Sequence, residues 1–486
     1  MTKPANAVRK VGGMIGLAMA VRIISQGLGL LLVLVAGRLL SIEEFGLFAL
    51  SMIALNLSTA TLYSGVYDFV LKEPDFHAHR STAFTMHMAI CLFFSGLILV
   101  LAAITHFAFG ATELALYIAS TAAIPILLML ACWHEAVLLR KGDVTGYYWI
   151  MLACEVLGFA AAVSLLFAGF GVWALILGRY VGSLGMAVLL SIVGVSLPAL
   201  GWAAQQVKEI SRYSAGLYSS AMMTFFSSYS ADILIGGVLN ARSVGLFRMG
   251  SRMATAAYDV GSQATRIVAW QALGRSAREG GLQDGMWVKI YALFVLFVMI
   301  ALGSVFILAK PLTLLVLGER WLEMIPILRI ICVLYMIRAI DLISMVQLSA
   351  AGDTGFVFKA KCLQLIILLV SIFATVRFGA VAVAFGLYPS AVVLFCVYVR
   401  RLIATTGVTL GSFVGEMIPV GICAGATLLV VFFACGALAS QMLFLQLIGP
   451  IAFGGSVMIL LMFFPLRTWV VETSQAVSVA ILPRAE

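Results

Sequence analysis

Seven arginines stand inside segments that are otherwise apolar enough to be membrane helices: Arg22, Arg179, Arg248, Arg252, Arg266, Arg329 and Arg338. A guanidinium at mid-membrane costs about 2.5–3.5 kcal/mol on insertion scales, so each needs a partner, water or an escape to the headgroups. Arg248, Arg266 and Arg329 lie toward the ends of their segments, where a long side chain reaches the headgroup layer. Arg22, Arg252 and Arg338 lie deeper. The richest stripe is Arg248, Arg252, Thr255, Asp259, Ser262 and Arg266, which recur at spacings of three or four and so share one helical face. A polar stripe of that length is either a salt-bridged seam against a neighbouring helix or the wall of a water-filled cavity. Its cationic excess suits an anionic ligand held by charge-assisted hydrogen bonds.

Other polar side chains at membrane depth extend the set. Arg22 and Gln26 share a face of the first segment, and Asn56, Tyr63 and Tyr67 share a face of the second, with Thr59 beside them. Amides and aromatics of this kind either contact sugar rings and hydroxyls or bond between helices. Asp232 and Asp259 are the positions for a coupling H+ or Na+ ion, although each can instead pair with a nearby arginine. Arg338 and Asp341, three residues apart on one helix, read as a structural ion pair. His87, His106 and His134 are isolated and read as packing residues, and Glu135 and Glu155 fall toward one boundary with no special role. No catalytic constellation, no metal-ligand spacing and no phosphate-cradling Gly-rich loop is present, so the chain is expected not to be an enzyme and to need no cofactor. The eight cysteines fall in apolar stretches and read as small buried hydrophobes.

The elements that must position these groups are membrane helices. Charged residues are 10% of the chain, against about 25% in soluble domains. Hydrophobic residues are 63% and mean hydropathy is +1.12. Segments of about 20 apolar residues span a hydrocarbon core as helices. An all-α membrane protein of about 14 transmembrane helices is predicted, at roughly 12–37, 45–71, 83–105, 112–139, 149–169, 171–194, 213–239, 246–273, 286–309, 322–350, 357–376, 379–399, 412–434 and 443–464. The first apolar run is too long for a signal-peptide core and is expected to remain as a helix. Of the Lys and Arg in the connections, eighteen fall on one side, from Lys3 to Arg484, and five on the other: Arg38, Arg242, Lys310, Arg320 and Arg377. That bias predicts both termini in the cytoplasm. The basic residues are scattered between apolar runs, so the net charge of +9 marks topology and excludes a nucleic-acid partner.

The chain also repeats itself. Gly37, Leu40 and Gly46-Leu47-Phe48 return 199 positions later as Gly236, Leu239 and Gly245-Leu246-Phe247. Ile124-Pro125-Ile126-Leu127 returns as Ile325-Pro326-Ile327-Leu328, and Phe170-Gly171, Ala174, Gly178 and Tyr180 return as Phe378-Gly379, Ala382, Gly386 and Tyr388. Two pseudo-symmetric six-helix lobes plus two C-terminal helices follow: residues 1–194, an interfacial linker over 195–212, residues 213–400, and 401–486 with the last two helices and a cytoplasmic tail. Duplicated halves of this kind carry their substrate site where the repeats meet, as in transporters.

The stretch Gly37-Arg38-Leu39-Leu40-Ser41-Ile42-Glu43-Glu44-Phe45-Gly46-Leu47-Phe48 resembles the first-loop signature of bacterial polysaccharide flippases of the multidrug/oligosaccharidyl-lipid/polysaccharide exporter superfamily. Asp232-Ile233-Leu234-Ile235-Gly236 leading into Val244-Gly245-Leu246-Phe247 resembles the matching segment of the second half, and Gly318-Glu319-Arg320-Trp321 and Ala351-Gly352-Asp353-Thr354 also fit. The resemblance implies a V-shaped bundle of two lobes in the bacterial inner membrane. It implies a flippase that turns an undecaprenyl-diphosphate-linked oligosaccharide to the periplasmic leaflet by alternating access, for surface polysaccharide biosynthesis. Arg22 and Arg252 best fit the diphosphate-binding arginines of related lipid II flippases; the extra two helices shape a groove for the lipid tail. Membrane lipids, glycosyltransferases and a polymerase of the same pathway are the implied partners. A cation-coupled multidrug or metabolite antiporter of the same fold is the alternative, which would favour a carboxylate-dominated cavity. A membrane polysaccharide polymerase is a further one, which would need a long periplasmic loop.

Overall fold

The computed structural model describes residues 3–142, 144–193, 197–278, 285–463 and 467–481. Residues 195 and 196 of the expected linker, and Arg484 of the expected tail, lie outside them. Among the described residues there is no strand. In chain order the first helices are α1 (Lys3–Leu39), α2 (Ile42–Leu62), α3 (Val66–Lys72), α4 (Phe76–Phe109), α5 (Thr112–Ser120), α6 (Ile124–Lys141), α7 (Val144–Phe167), α8 (Val172–Val193) and α9 (Ala204–Val238). They continue as α10 (Ala241–Arg278), α11 (Met286–Ile307), α12 (Ala309–Val316), α13 (Ile325–Ala350), α14 (Thr354–Thr375), α15 (Ala380–Gly386), α16 (Tyr388–Thr406), α17 (Leu410–Ala437), α18 (Leu443–Phe463) and α19 (Arg467–Ile481). Each of the fourteen expected segments is helical. Eleven described spans are long and apolar enough to cross a membrane, and the chain is a multi-pass membrane protein. Three expected spans are broken: α2–α3 at Tyr63–Gly65, α5–α6 at Thr121–Ala123, and α15–α16 at Leu387; the short 3-10 turn Val376–Phe378 and Gly379 form the connection from α14 to α15.

The chain forms two compact units, residues 1–236 with 240–245, and residues 237–239 with 246–486. The first unit therefore includes α9, which was expected to open the second lobe. α9 also begins at Ala204, so half of the expected interfacial linker, residues 204–212, is the first part of one continuous helix. Its start is tied to α4: Gly201 N–H donates to Thr85 Oγ1 at 3.0 Å, Gln206 Nε2 donates to the Ala78 carbonyl at 3.1 Å, and Glu209 meets His79 at 3.2 Å. Ile210 is fully buried in a core around Trp133, with Phe76, Phe84, Val66 and Leu62.

The break in α2 shows how a membrane protein satisfies freed backbone groups. Gly65 takes φ +64°, a conformation that a side chain disfavours. Tyr218 of α9 fills the space beside it, and its hydroxyl accepts the Val66 N–H at 3.2 Å. Tyr218→Phe strands a donor on a residue with no exposed surface, at a cost of about 1–3 kcal/mol. A lower apparent melting temperature in detergent is the expected result.

The signature stretch has a local explanation. Ser41 caps α2: its Oγ accepts the Glu44 N–H at 3.1 Å, and the Glu44 carboxylate accepts the Ser41 N–H at 2.7 Å, a reciprocal capping box. In the second repeat Asn240 takes the same role, its Oδ1 accepting the Ser243 N–H at 2.8 Å. Gly46 and Gly245 then let the first turns of α2 and α10 touch backbone to backbone. A Cβ on Gly46 would lie 1.8 Å from the Ala241 carbonyl oxygen, and one on Gly245 would lie 2.3 Å from that of Ile42. The repeated tyrosines also act alike: Tyr180 donates to the Ser120 carbonyl, and Tyr388 to the Ile330 carbonyl at 2.9 Å.

Small residues bring α7 and α8 together, where a Cβ on Gly158 would meet the Gly178 carbonyl oxygen at 2.9 Å. In the second unit Trp287 of α11 is 1% exposed, donates to Thr406 Oγ1 of α16 at 3.1 Å and stacks on Phe413 of α17. That anchors α17, the first of the two additional spans, to the second unit.

Candidate functional site: a hydroxyl-lined cavity

The first unit holds a cavity of about 520 Å³ between α2 and α9. Asn56, Thr59 and Ala60 line it from α2 and Ser64 from the break just after it; Ser220, Thr224, Ser228 and Tyr229 are its polar wall on α9. These positions follow helical spacing, so both walls are continuous faces. Among the described residues, no charged side chain lines it.

The hydroxyls are oriented by their own helices. Thr59 donates to the Leu55 carbonyl at 2.9 Å, Ser64 to Ala60 at 2.9 Å and Thr224 to Ser220 at 2.9 Å. With its proton engaged, each hydroxyl keeps lone pairs to accept a hydrogen bond from a ligand. Asn56 adds an amide that can both donate and accept. Phe225 and Tyr229 stack at 4.9 Å on the α9 side and give the cavity an aromatic edge. Neutral acceptors, an amide and aromatic surface suit a polyhydroxylated, uncharged ligand portion.

The other residues singled out in the sequence are distributed as follows. Tyr63 is half-buried beside the cavity, its ring 5.5 Å from that of Tyr67. Arg22 and Gln26 are both exposed on α1, whose Val21 is buried. Asp232 is 2% exposed on α9. In the second unit the stripe on α10 is electrostatically linked along its length, since Arg252 and Arg266 both act on Asp259. Thr255 and Ser262 turn back onto their own helix, donating to the carbonyls of Arg252 and Asp259, each at 3.2 Å. Arg248 and Arg252 are half-buried and Arg266 is exposed. The structure brings together Arg338 and Asp341 at 3.4 Å. Lys361, counted from sequence as a topology signal, joins them at 3.7 Å from the same carboxylate oxygen.

Sequence reasoning missed the α9 wall. Its signal was present: Ser220, Thr224, Ser227 and Ser228 recur at helical spacing inside a span. It also gave Glu135 no role, whereas Glu135 is 5% exposed and accepts a hydrogen bond from Tyr67 at 2.8 Å.

Comparison with known proteins bears on this arrangement. Residues 35–326 match the family model described as polysaccharide biosynthesis protein. The chain is 24% identical over 331 residues to the succinoglycan biosynthesis transport protein ExoT of Rhizobium meliloti (strain 1021), a match covering 68% of the chain and 66% of that relative. Among solved structures, the lipid II flippase MurJ in an inward closed conformation superposes with a TM-score of 0.75 at 12% identity, covering 94% of this chain and all of that one. An inward-facing multidrug resistance MATE family transporter of the MOP superfamily superposes at 0.56 and 16% identity, covering 79% of this chain and 96% of that one. At such identities these two structures show a shared fold.

Proposed function

The chain belongs to the polysaccharide biosynthesis protein family, and from that premise we propose that it is a flippase for a lipid-diphosphate-linked oligosaccharide. It works by alternating access in the bacterial inner membrane, with both termini in the cytoplasm. The observation that carries this reading is the neutral, hydroxyl-lined cavity of Asn56, Thr59, Ser64, Ser220, Thr224 and Ser228, which suits sugars. The transport protein named above, from a polysaccharide pathway, supports the same substrate class.

The chemistry of the cargo sets the design. Isolated charge in hydrocarbon costs tens of kcal/mol in the Born limit, so a diphosphate needs fixed partners on its way. Arg22 and Arg252 supply guanidiniums for it, with Arg248 and Arg266 on the same α10 stripe. The sugars occupy the hydroxyl-lined cavity, while the long tail remains in lipid. An ion gradient resets the cycle, and no cofactor or enzymatic step is required. A cation antiporter would favour a carboxylate-dominated cavity, and the described residues lining this one are neutral.

Deleting the gene is expected to leave lipid-linked oligosaccharide on the cytoplasmic leaflet, and the wild-type chain to restore export. Arg22→Ala and Arg252→Ala each remove a charge-assisted bond worth about 1.5–3 kcal/mol, a tenfold or greater loss of cargo affinity. Export measured in the complemented strain checks both variants, and full rescue by both would overturn the diphosphate assignment.

A further inference from the structure

Apart from the cavity, the first unit encloses a carboxyl group for which transport of a sugar chain gives no use. Glu135 of α6 is 5% exposed. Tyr67 donates to its Oε1 at 2.8 Å, and the hydroxyls of Tyr63 and Tyr147 face the same carboxyl from α2 and α7. Its Oε2 is buried and accepts no hydrogen bond of ordinary geometry. Among the described residues, Arg22 of α1 acts on it through space.

Other titratable groups lie around it. Cys132 lies on the same helix beside Tyr63, and Cys91 of α4 faces Cys132. From α8, Arg179 acts on Glu155 and Tyr180 donates to the Ser120 carbonyl. His134, the neighbour of Glu135 in sequence, faces Arg80.

The second repeat supplies a control. Its corresponding helices, α13 and α14, also hold a carboxylate, Asp341, but Arg338 at 3.4 Å and Lys361 at 3.7 Å converge on one of its oxygens. At Glu135 the donors are phenols instead, and the buried Oε2 accepts no hydrogen bond of ordinary geometry among the described residues.

We propose that Glu135 is the proton-binding carboxyl that couples this transporter to a proton gradient. A proton adds to Oε2 and the carboxylate becomes a neutral acid. No other bond is made or broken; the phenols reorient around it. Arg22 then loses a counter-charge and is freer to take an anion. By linkage, an anion bound at Arg22 raises proton occupancy at Glu135 by the same factor. This last link rests on the diphosphate reading of Arg22, whereas proton exchange at Glu135 does not.

The test uses the purified full-length chain in lipid nanodiscs. Infrared difference spectra across a pH titration are expected to show the carbonyl stretch of a carboxyl that protonates reversibly. Glu135→Gln should abolish that band, Glu135→Asp should return it at a shifted frequency, and Tyr67→Phe should shift it without removing it. Asp232→Asn and Asp259→Asn should leave it in place. Absence of the band in the wild type, or an unchanged band in Glu135→Gln or Glu135→Asp, overturns the proposal. Inorganic pyrophosphate added in weak buffer should draw protons into the wild type but not into Glu135→Gln. If pyrophosphate fails to bind the wild type while the Glu135 band titrates, the proton site stands and the diphosphate reading of Arg22 falls.

Discussion

Cells carrying Thr224→Trp are expected to make normal amounts of the protein, place it in the membrane and export no surface polysaccharide. Thr224 is an exposed position on the α9 wall of the cavity, so an indole there has room to fit and fills the space proposed for the cargo. The contrast is Thr224→Ala. The Thr224 hydroxyl already donates to its own helix at 2.9 Å, so alanine removes one acceptor from the ligand's surroundings. One such hydrogen bond is worth about 0.5–1.5 kcal/mol, and export should fall by about tenfold at most. Polymer measured at the cell surface, normalised to protein in the membrane fraction, separates the two variants. Equal export by Thr224→Trp and wild type would remove the cavity from the transport path.

A second large effect is structural. Gly46→Leu and Gly245→Leu should each leave no stably folded protein. The first atom of either new side chain would sit 1.8 or 2.3 Å from a carbonyl oxygen of the facing helix turn. That neighbour is backbone at a capped helix start, so it cannot rotate aside as a side chain can. Overpacking a well-packed interior typically costs about 1–3 kcal/mol, and a clash with fixed backbone belongs at or above the upper end. Monodispersity and thermal stability in detergent provide the measurement. Gly421→Ala on α17, where a Cβ meets nothing within 4 Å, is the control. It should be neutral or gain about 0.5–1 kcal/mol from the reduced freedom of the unfolded chain. Wild-type stability in both leucine variants would mean that the close contact is dispensable.

Much of the architecture was legible because lipid allows few solutions. Long apolar runs had to be helices, and each of the fourteen expected segments is helical. The repeats were legible because their residues do local work: Ser41 and Asn240 cap, Gly46 and Gly245 permit contact, and Tyr180 and Tyr388 clip a carbonyl. What hydropathy could not show was packing. The break at Gly65 depends on Tyr218, far along the chain, and the association of α9 with the first unit depends on its contacts with α4 and the Trp133 core. The candidate site was legible on one side only. Asn56 stood out as an amide among apolar residues, whereas serines and threonines in a span are common packing groups and reveal a cavity only when their face meets open space. Glu135 was misjudged for a related reason: its distance along the sequence from a loop said little about burial, which Tyr63, Tyr67 and Tyr147 enforce from other elements.

One consequence concerns origin. The α2 wall descends from the first duplicated segment and the α9 wall from the second, yet both belong to one compact unit. An ancestral half-length chain would have possessed either wall but never this chamber by itself. The chamber thus joins elements from the two copies within one compact unit. Natural variants that diversify the exported sugar should accordingly accumulate on α2 and α9 together, crossing the seam of the duplication.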